Sequence, residues 1–218
     1  GTLYKSSNGG SSFTNIGSGE FNSGIEIKEI MIHNGKLWVA SNQGLYYSSN
    51  SGNSFSQKMS GKWLEMEVHP TNNQVIYAIK ENTNTTAFYK STNNGSSFTE
   101  YSNGWPNPNS GDEQKRTEIA VSAASPNKVV ALCTGVANGG SGLYGIYISE
   151  DQGVNWEFKC CGAQPGGPAS TLNINMMGWQ DDGSDDGGQY YYDLALAVNP
   201  NNANIIHVGG VNHWISTN

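Results

Sequence analysis

SSNGGSSF at residues 6–13, SSNSGNSF at 48–55, STNNGSSF at 91–98 and SEDQGVNW at 149–156 share one pattern: Ser, any residue, Asn or Asp, any residue, Gly, two residues and an aromatic. Ser216-Thr217-Asn218 opens a fifth copy. The copies begin at residues 6, 48, 91, 149 and 216, so a constant core is separated by growing insertions. An internal repeat of this kind fixes the architecture before any single residue does.

Each copy reads as a turn. The side chain of Asn8, Asn50, Asn93 or Asp151 can accept backbone amides of its own loop. Gly10, Gly52, Gly95 or Gly153, two residues on, supplies a positive φ. Phe13, Phe55, Phe98 or Trp156 then re-enters a strand and is expected to bury its ring. Strand-like runs precede the copies at 1–5, 44–47, 87–90 and 144–148. The motif therefore joins two strands as a hairpin. Two further strand-like segments lie upstream of each later copy: 25–33 and 36–40, 63–69 and 74–80, 117–123 and 128–134, and 191–198 and 204–209. Asn34-Gly35 is a favoured two-residue hairpin turn between the first pair. Four strands per unit of roughly 40 residues is the pattern of β-propeller blades.

These repeats resemble the Asp-box (BNR) propeller family, and EVHPTNNQVIYAIK and AVNPNNANIIHVGG resemble the turn from first to second strand of the same blades. The expected fold is all-β: a β-propeller segment of four-stranded antiparallel blades with Asp-box hairpins, cut from a longer propeller. The expected organisation is a partial blade at 1–20, blades at about 21–60, 61–101 and 115–160, an insertion at 160–189 and a partial blade at 190–218. The resemblance makes the Asp boxes structural. It is nearest to secreted bacterial, sortilin-like and xyloglucanase-like propellers.

Composition narrows the partners. The chain has 28 Gly and 27 Asn, a turn-rich content, while its aromatic residues argue against disorder. A net charge of −7 weighs against clustered phosphate binding, and nucleic acid is not an expected partner. No apolar run approaches the about 18 residues of a membrane span. Sialidases, as the resemblance has them, hold a carboxylate with three arginines, and Arg116 is the only arginine present. Cys133, Cys160 and Cys161 allow either one disulfide from Cys133 to a member of the adjacent pair or three free thiols.

Chemistry concentrates in two insertions. Five of seven aspartates lie between residues 181 and 193. Asp181, Asp182, Asp185 and Asp186, interleaved with glycines, suit oxygen coordination of calcium, although their spacing is not that of an EF-hand. Asp193 is the one candidate for a catalytic carboxylate, and a glycosidase needs two. Trp179 is a candidate for stacking on a ligand, Tyr191 is expected to enter the core of the following strand, and Trp105 marks a second candidate ligand loop at 101–115. His33, His69, His207 and His213 stand at unrelated positions and suggest no metal cluster. The leading expectation is a secreted or cell-surface adhesion module binding a glycan or protein, alongside other domains or blades of a longer chain. The rivals are a xyloglucanase-like glycoside hydrolase with carboxylates partly outside this chain and a sortilin-like peptide receptor.

Overall fold

In the computed structural model, residues 1–137, 140–161 and 174–217 are described. Among them no helix is long and apolar enough to cross a membrane. The chain divides into two compact units, Gly1–Met66 and Glu67–Asn218, with the division inside a strand.

The first unit starts with a two-stranded sheet, β1 (Leu3–Lys5) and β2 (Thr14–Ile16), joined by the first repeat. A four-stranded sheet follows in simple order: β3 (Ile27–His33), β4 (Lys36–Ser41), β5 (Gly44–Ser48) and β6 (Ser56–Ser60). All three of its pairings are antiparallel. The β3–β4 turn takes positive φ at Asn34 (47°) and Gly35 (72°), the two-residue geometry that Asn-Gly favours. Leu3, Phe21, Ile25, Val39, Tyr46 and Phe55 form the core here. Phe21, from the connection between the two sheets, meets Phe55 edge-on with centroids 4.9 Å apart.

In the longer part of the chain, β7 (Lys62–Val68), β8 (Ile76–Glu81), β9 (Thr86–Ser91) and β10 (Thr99–Glu100) form the next sheet. Then come β11 (Glu113–Ser122), β12 (Ser125–Ala137), β13 (Gly140–Ser149) and β14 (Glu157–Cys160). A three-stranded sheet, β15 (Ala195–Val198), β16 (Ile206–Gly209) and β17 (His213–Ser216), closes the order. Consecutive strands, neighbour to neighbour, are the topology of propeller blades. Ala120, Val130, Leu132, Leu143, Ile146, Val198, Ile206 and Val208 share a core with Cys161, Met177 and Tyr190 from the insertion.

Two strands differ from the sequence reading. β11 begins at Glu113, inside the stretch read as an insertion, because Gln114 is pulled into the interior: its Oε1 accepts the Thr86 amide and its Nε2 donates to Thr117 Oγ1. β15 begins only at Ala195, since the amides of Tyr192 and Asp193 both turn back to the Gln189 carbonyl. That turn buries Tyr190 and leaves Tyr191 half exposed, so the expected burial of Tyr191 is corrected.

The cysteines pair in a way that neither expected alternative included. Cys160 and Cys161 are bonded to each other, and Cys133 is free and buried. Successive side chains of a strand point to opposite faces, so a bond between neighbours cannot continue a strand. β14 ends there, with Cys161 at φ 65°.

Candidate functional site

The four repeats have one hydrogen-bond circuit. The Ser Oγ of each accepts the amide of the repeat glycine: Ser6 from Gly10, Ser48 from Gly52, Ser91 from Gly95 and Ser149 from Gly153, at 2.8–2.9 Å. The same hydroxyl donates to Oδ1 of Asn8, Asn50, Asn93 or Asp151. That oxygen accepts the amide of Ser12, Ser54, Ser97 or Asn155. The groups that look chemically available in the sequence are thus spent on holding the turn. The residue before each glycine is also left-handed, including Ser51, Asn94 and Gln152 at 60°, 54° and 62°. A non-glycine there costs about 1–2 kcal/mol, which the circuit offsets.

Two of the repeat glycines, Gly52 and Gly153, also set close packing. A Cβ on Gly52 would stand 2.5 Å from Ile16 Cδ1, and one on Gly153 would stand 2.1 Å from Phe88 Cε1. The lysine before a repeat reaches toward the next one: Lys5 Nζ donates to the Ser51 carbonyl at 2.9 Å. Burial lowers the affinity of Lys90 for its proton, and Asp151 of the following repeat opposes that shift. The closing aromatics do not behave alike. Phe55 and Trp156 are buried and Phe98 is partly buried, but Phe13 is 63% exposed, contrary to the expectation for it.

Trp105 does not offer its ring to a ligand. It is buried, lies 4.7 Å edge-on from Trp156 and 5.8 Å from Phe88, and donates Nε1–H to the Thr86 carbonyl at 2.8 Å. It packs under Trp156 as Phe21 packs under Phe55. Trp105 is therefore a core residue and not the exposed ligand contact expected of it.

The second insertion contains the exposed aromatics. Residues 162–173 of it lie outside the described residues. In 174–192 the backbone is braced throughout. Asn175 Oδ1 accepts the Leu143 and Met177 amides, and its Nδ2 donates to the carbonyls of Asp185 and Gly187. Arg116 donates to the Tyr191 and Tyr192 carbonyls and pairs with Glu118 at 2.7 Å. Trp214 Nε1–H donates to the Met176 carbonyl, and Asn212 Nδ2 to that of Gln180. On this frame Trp179 is 58% exposed, Tyr191 50% and Tyr192 75%. Tyr190 is buried beneath Tyr191, centroids 4.0 Å apart, and burial pushes its phenol up to about 12.

The acidic cluster serves the same frame. Asp185 accepts the amides of Trp179 and Gln180, Asp186 that of Ser141, and Asp182 that of Ser184, while Asp181 is exposed. Among the described residues no three His, Cys, Asp or Glu side chains come together as a metal site. Asp193 is exposed at the end of the turn that leads into β15. His69 Nδ1 accepts the Thr71 and Asn72 amides just as Asn199 Oδ1 accepts those of Asn201 and Asn202, which makes it a turn residue.

Burial pushes the Cys133 thiol up to about 12, so it stays protonated in the fold where a free thiol of pKa about 8.5 ionises. The neutral buried thiol contributes its full stability below that lower value and loses it as pH rises toward the upper one. Iodoacetamide at about pH 8 is expected to leave the native chain unlabelled and, after urea without reductant, to label one thiol per chain by mass. Two or three labels would remove the Cys160–Cys161 bond.

A family model, the DUF6242 beta propeller domain, matches residues 1–112. Among solved structures, an ancestral GH74 enzyme aligns with TM-score 0.65 and 19% identity over 94% of this chain and 24% of its own. The GH74 xyloglucanase from Xanthomonas campestris gives 0.56 and 17% over 84% and 25%. The Niastella koreensis GH74 enzyme gives 0.50 and 17% over 100% and 41%. No curated protein matches. The chain spans about a quarter of the length of the first two structures, and at these identities the likeness is one of fold.

Proposed function

Because the chain belongs to the DUF6242 beta propeller domain family, we propose that it is a non-catalytic binding module of a secreted or cell-surface protein and that its contact surface is the insertion at 174–192. The observation that carries this is the pairing of a braced backbone with exposed rings at Trp179, Tyr191 and Tyr192. Rigid aromatic side chains bind at low entropic cost, because little freedom is left to lose. A glycan ring or an apolar side chain of a protein suits such faces. Export fits the disulfide, since cytosolic thiols are kept reduced.

The Asp boxes belong to the scaffold in this reading, because their acceptors are consumed inside their own turns. A glycan array probed with the full-length protein tests it. Trp179→Ala is expected to lower affinity by on the order of 2 kcal/mol, about thirtyfold, as loss of a central aromatic contact does. Unchanged binding in both Trp179→Ala and Tyr192→Ala would move the site elsewhere.

A further inference from the structure

His207 and His213, six residues apart, are brought together by the β16–β17 hairpin. His207 pairs across the ladder with Ile215 and Gly209 with His213, so the two histidines are diagonal neighbours on one face. Their ring planes are within 5° of each other, with centroids 5.2 Å apart and His207 Nδ1 3.0 Å from His213 Nε2. Face-to-face rings cannot combine that centroid distance with so short a nitrogen contact. The rings therefore lie edge to edge in nearly one plane, each turning a nitrogen toward the other.

The backbone beneath them is fixed. Four register pairs join β16 to β17, the Gly210 amide donates to the Asn212 carbonyl, and Asn212 Nδ2 is tied to the Gln180 carbonyl. Across the ladder from Gly209 and His207 stand Ala195 and Ala197, both exposed, which leaves room for water beside the rings. His213 is exposed and His207 half-buried.

We propose that His207 and His213 form a two-imidazole site for a first-row transition dication of the copper(II), nickel(II) or zinc(II) class. Imidazole nitrogens bind such ions at about 2.0–2.1 Å, and two nitrogens on one ion at an angle between square and tetrahedral stand about 3 Å apart. The hairpin already holds them at that separation, and a modest rotation of each ring about its Cβ–Cγ bond turns the two lone pairs from each other toward one ion. In the resting pair one facing nitrogen carries the shared proton and the other offers a lone pair. On binding, the proton moves through solvent to the nitrogen of the same ring that faces away, so both facing nitrogens become ligands and the pair stays neutral. Water fills the remaining positions. Imidazole selects copper(II) most strongly and the oxygen-seeking calcium and magnesium least.

The test uses the full chain without a polyhistidine tag. Copper(II), nickel(II) and zinc(II) chlorides are titrated by calorimetry, with copper(II) also followed by electron paramagnetic resonance. One site per chain is expected, tightest for copper, with hyperfine coupling to two nitrogens. His207→Gln and His213→Gln should each weaken it by about tenfold or more, at least the loss that even outer-shell partners produce, while His33→Gln should not. Circular dichroism checks that the surface variants fold. Absence of a saturating single site, or a site that survives replacement of both histidines, overturns the proposal. Glycan binding is not read in this experiment, so its outcome is independent of the function proposed above.

Discussion

Gly153→Ala is expected to cost about 2–5 kcal/mol, from about 1–2 for an L side chain at positive φ and about 1–3 for overpacking. The backbone at Gly153 has φ 80°, and the added methyl would stand 2.1 Å from Phe88 Cε1. Phe88 is fully buried against both Trp105 and Trp156, which also contact each other, so its ring has nowhere to retreat. Gly10→Ala is the matched control, because Gly10 occupies the same place in its repeat, at φ 92°, with nothing within 4 Å of the new methyl. It should cost only the conformational part, about 1–2 kcal/mol. Urea unfolding followed by tryptophan fluorescence measures both. Equal losses would mean that the repeat glycines are needed for φ alone and do not set close packing.

Trp105→Ala should be of similar size, about 3–5 kcal/mol, the usual range for truncating a buried tryptophan. It removes the edge contact with Trp156 and the tilted contact with Phe88, and it takes the indole donor from the Thr86 carbonyl, which keeps the Thr85 hydroxyl. Trp105→Phe is the intermediate case: it keeps one six-membered ring in the core but gives up the N–H and the rest of the indole volume, so it should cost less than alanine, about 1–3 kcal/mol. The folded fraction of either variant should bind ligand as the parent does. Full stability together with lost binding would return Trp105 to the ligand loop that its sequence context suggests.

The repeat was legible because its chemistry is local. Ser, Asn or Asp, and Gly act within five residues, so their spacing shows in the sequence, and Asn34-Gly35 announced its turn in the same way. Features that depend on packing were not. Trp105 lies among Asn, Gly and Pro and reads as a loop residue, and only the position of Phe88 and Trp156 reveals the cavity that it fills. In Tyr190-Tyr191-Tyr192 alternation cannot say which ring is buried, because the amides of Tyr192 and Asp193 curl back to Gln189 and postpone the strand. Phe13 carries the motif aromatic yet stays 63% exposed. The bond between Cys160 and Cys161 runs against the alternation on which strand reading rests. His207 and His213 looked unrelated, although six residues straddling Gly209-Gly210 is the separation that a hairpin can close.

The charge content was informative mainly by scarcity. Arg116, the single arginine, is engaged with two carbonyls and Glu118, which leaves it as the anchor of the insertion. Asp182, Asp185 and Asp186 likewise accept nearby amides. The large apolar groups that stay outward on that loop are Trp179, Tyr191 and Tyr192, and the binding reading rests there.

The most direct test is to follow release of reducing ends while the full-length protein is saturated with each glycan that it retains on an array. Retention with no release of reducing ends, lost in the Trp179→Ala/Tyr192→Ala variant, is the expected result. Steady release that Asp193→Asn abolishes would contradict it and make this chain part of a glycoside hydrolase.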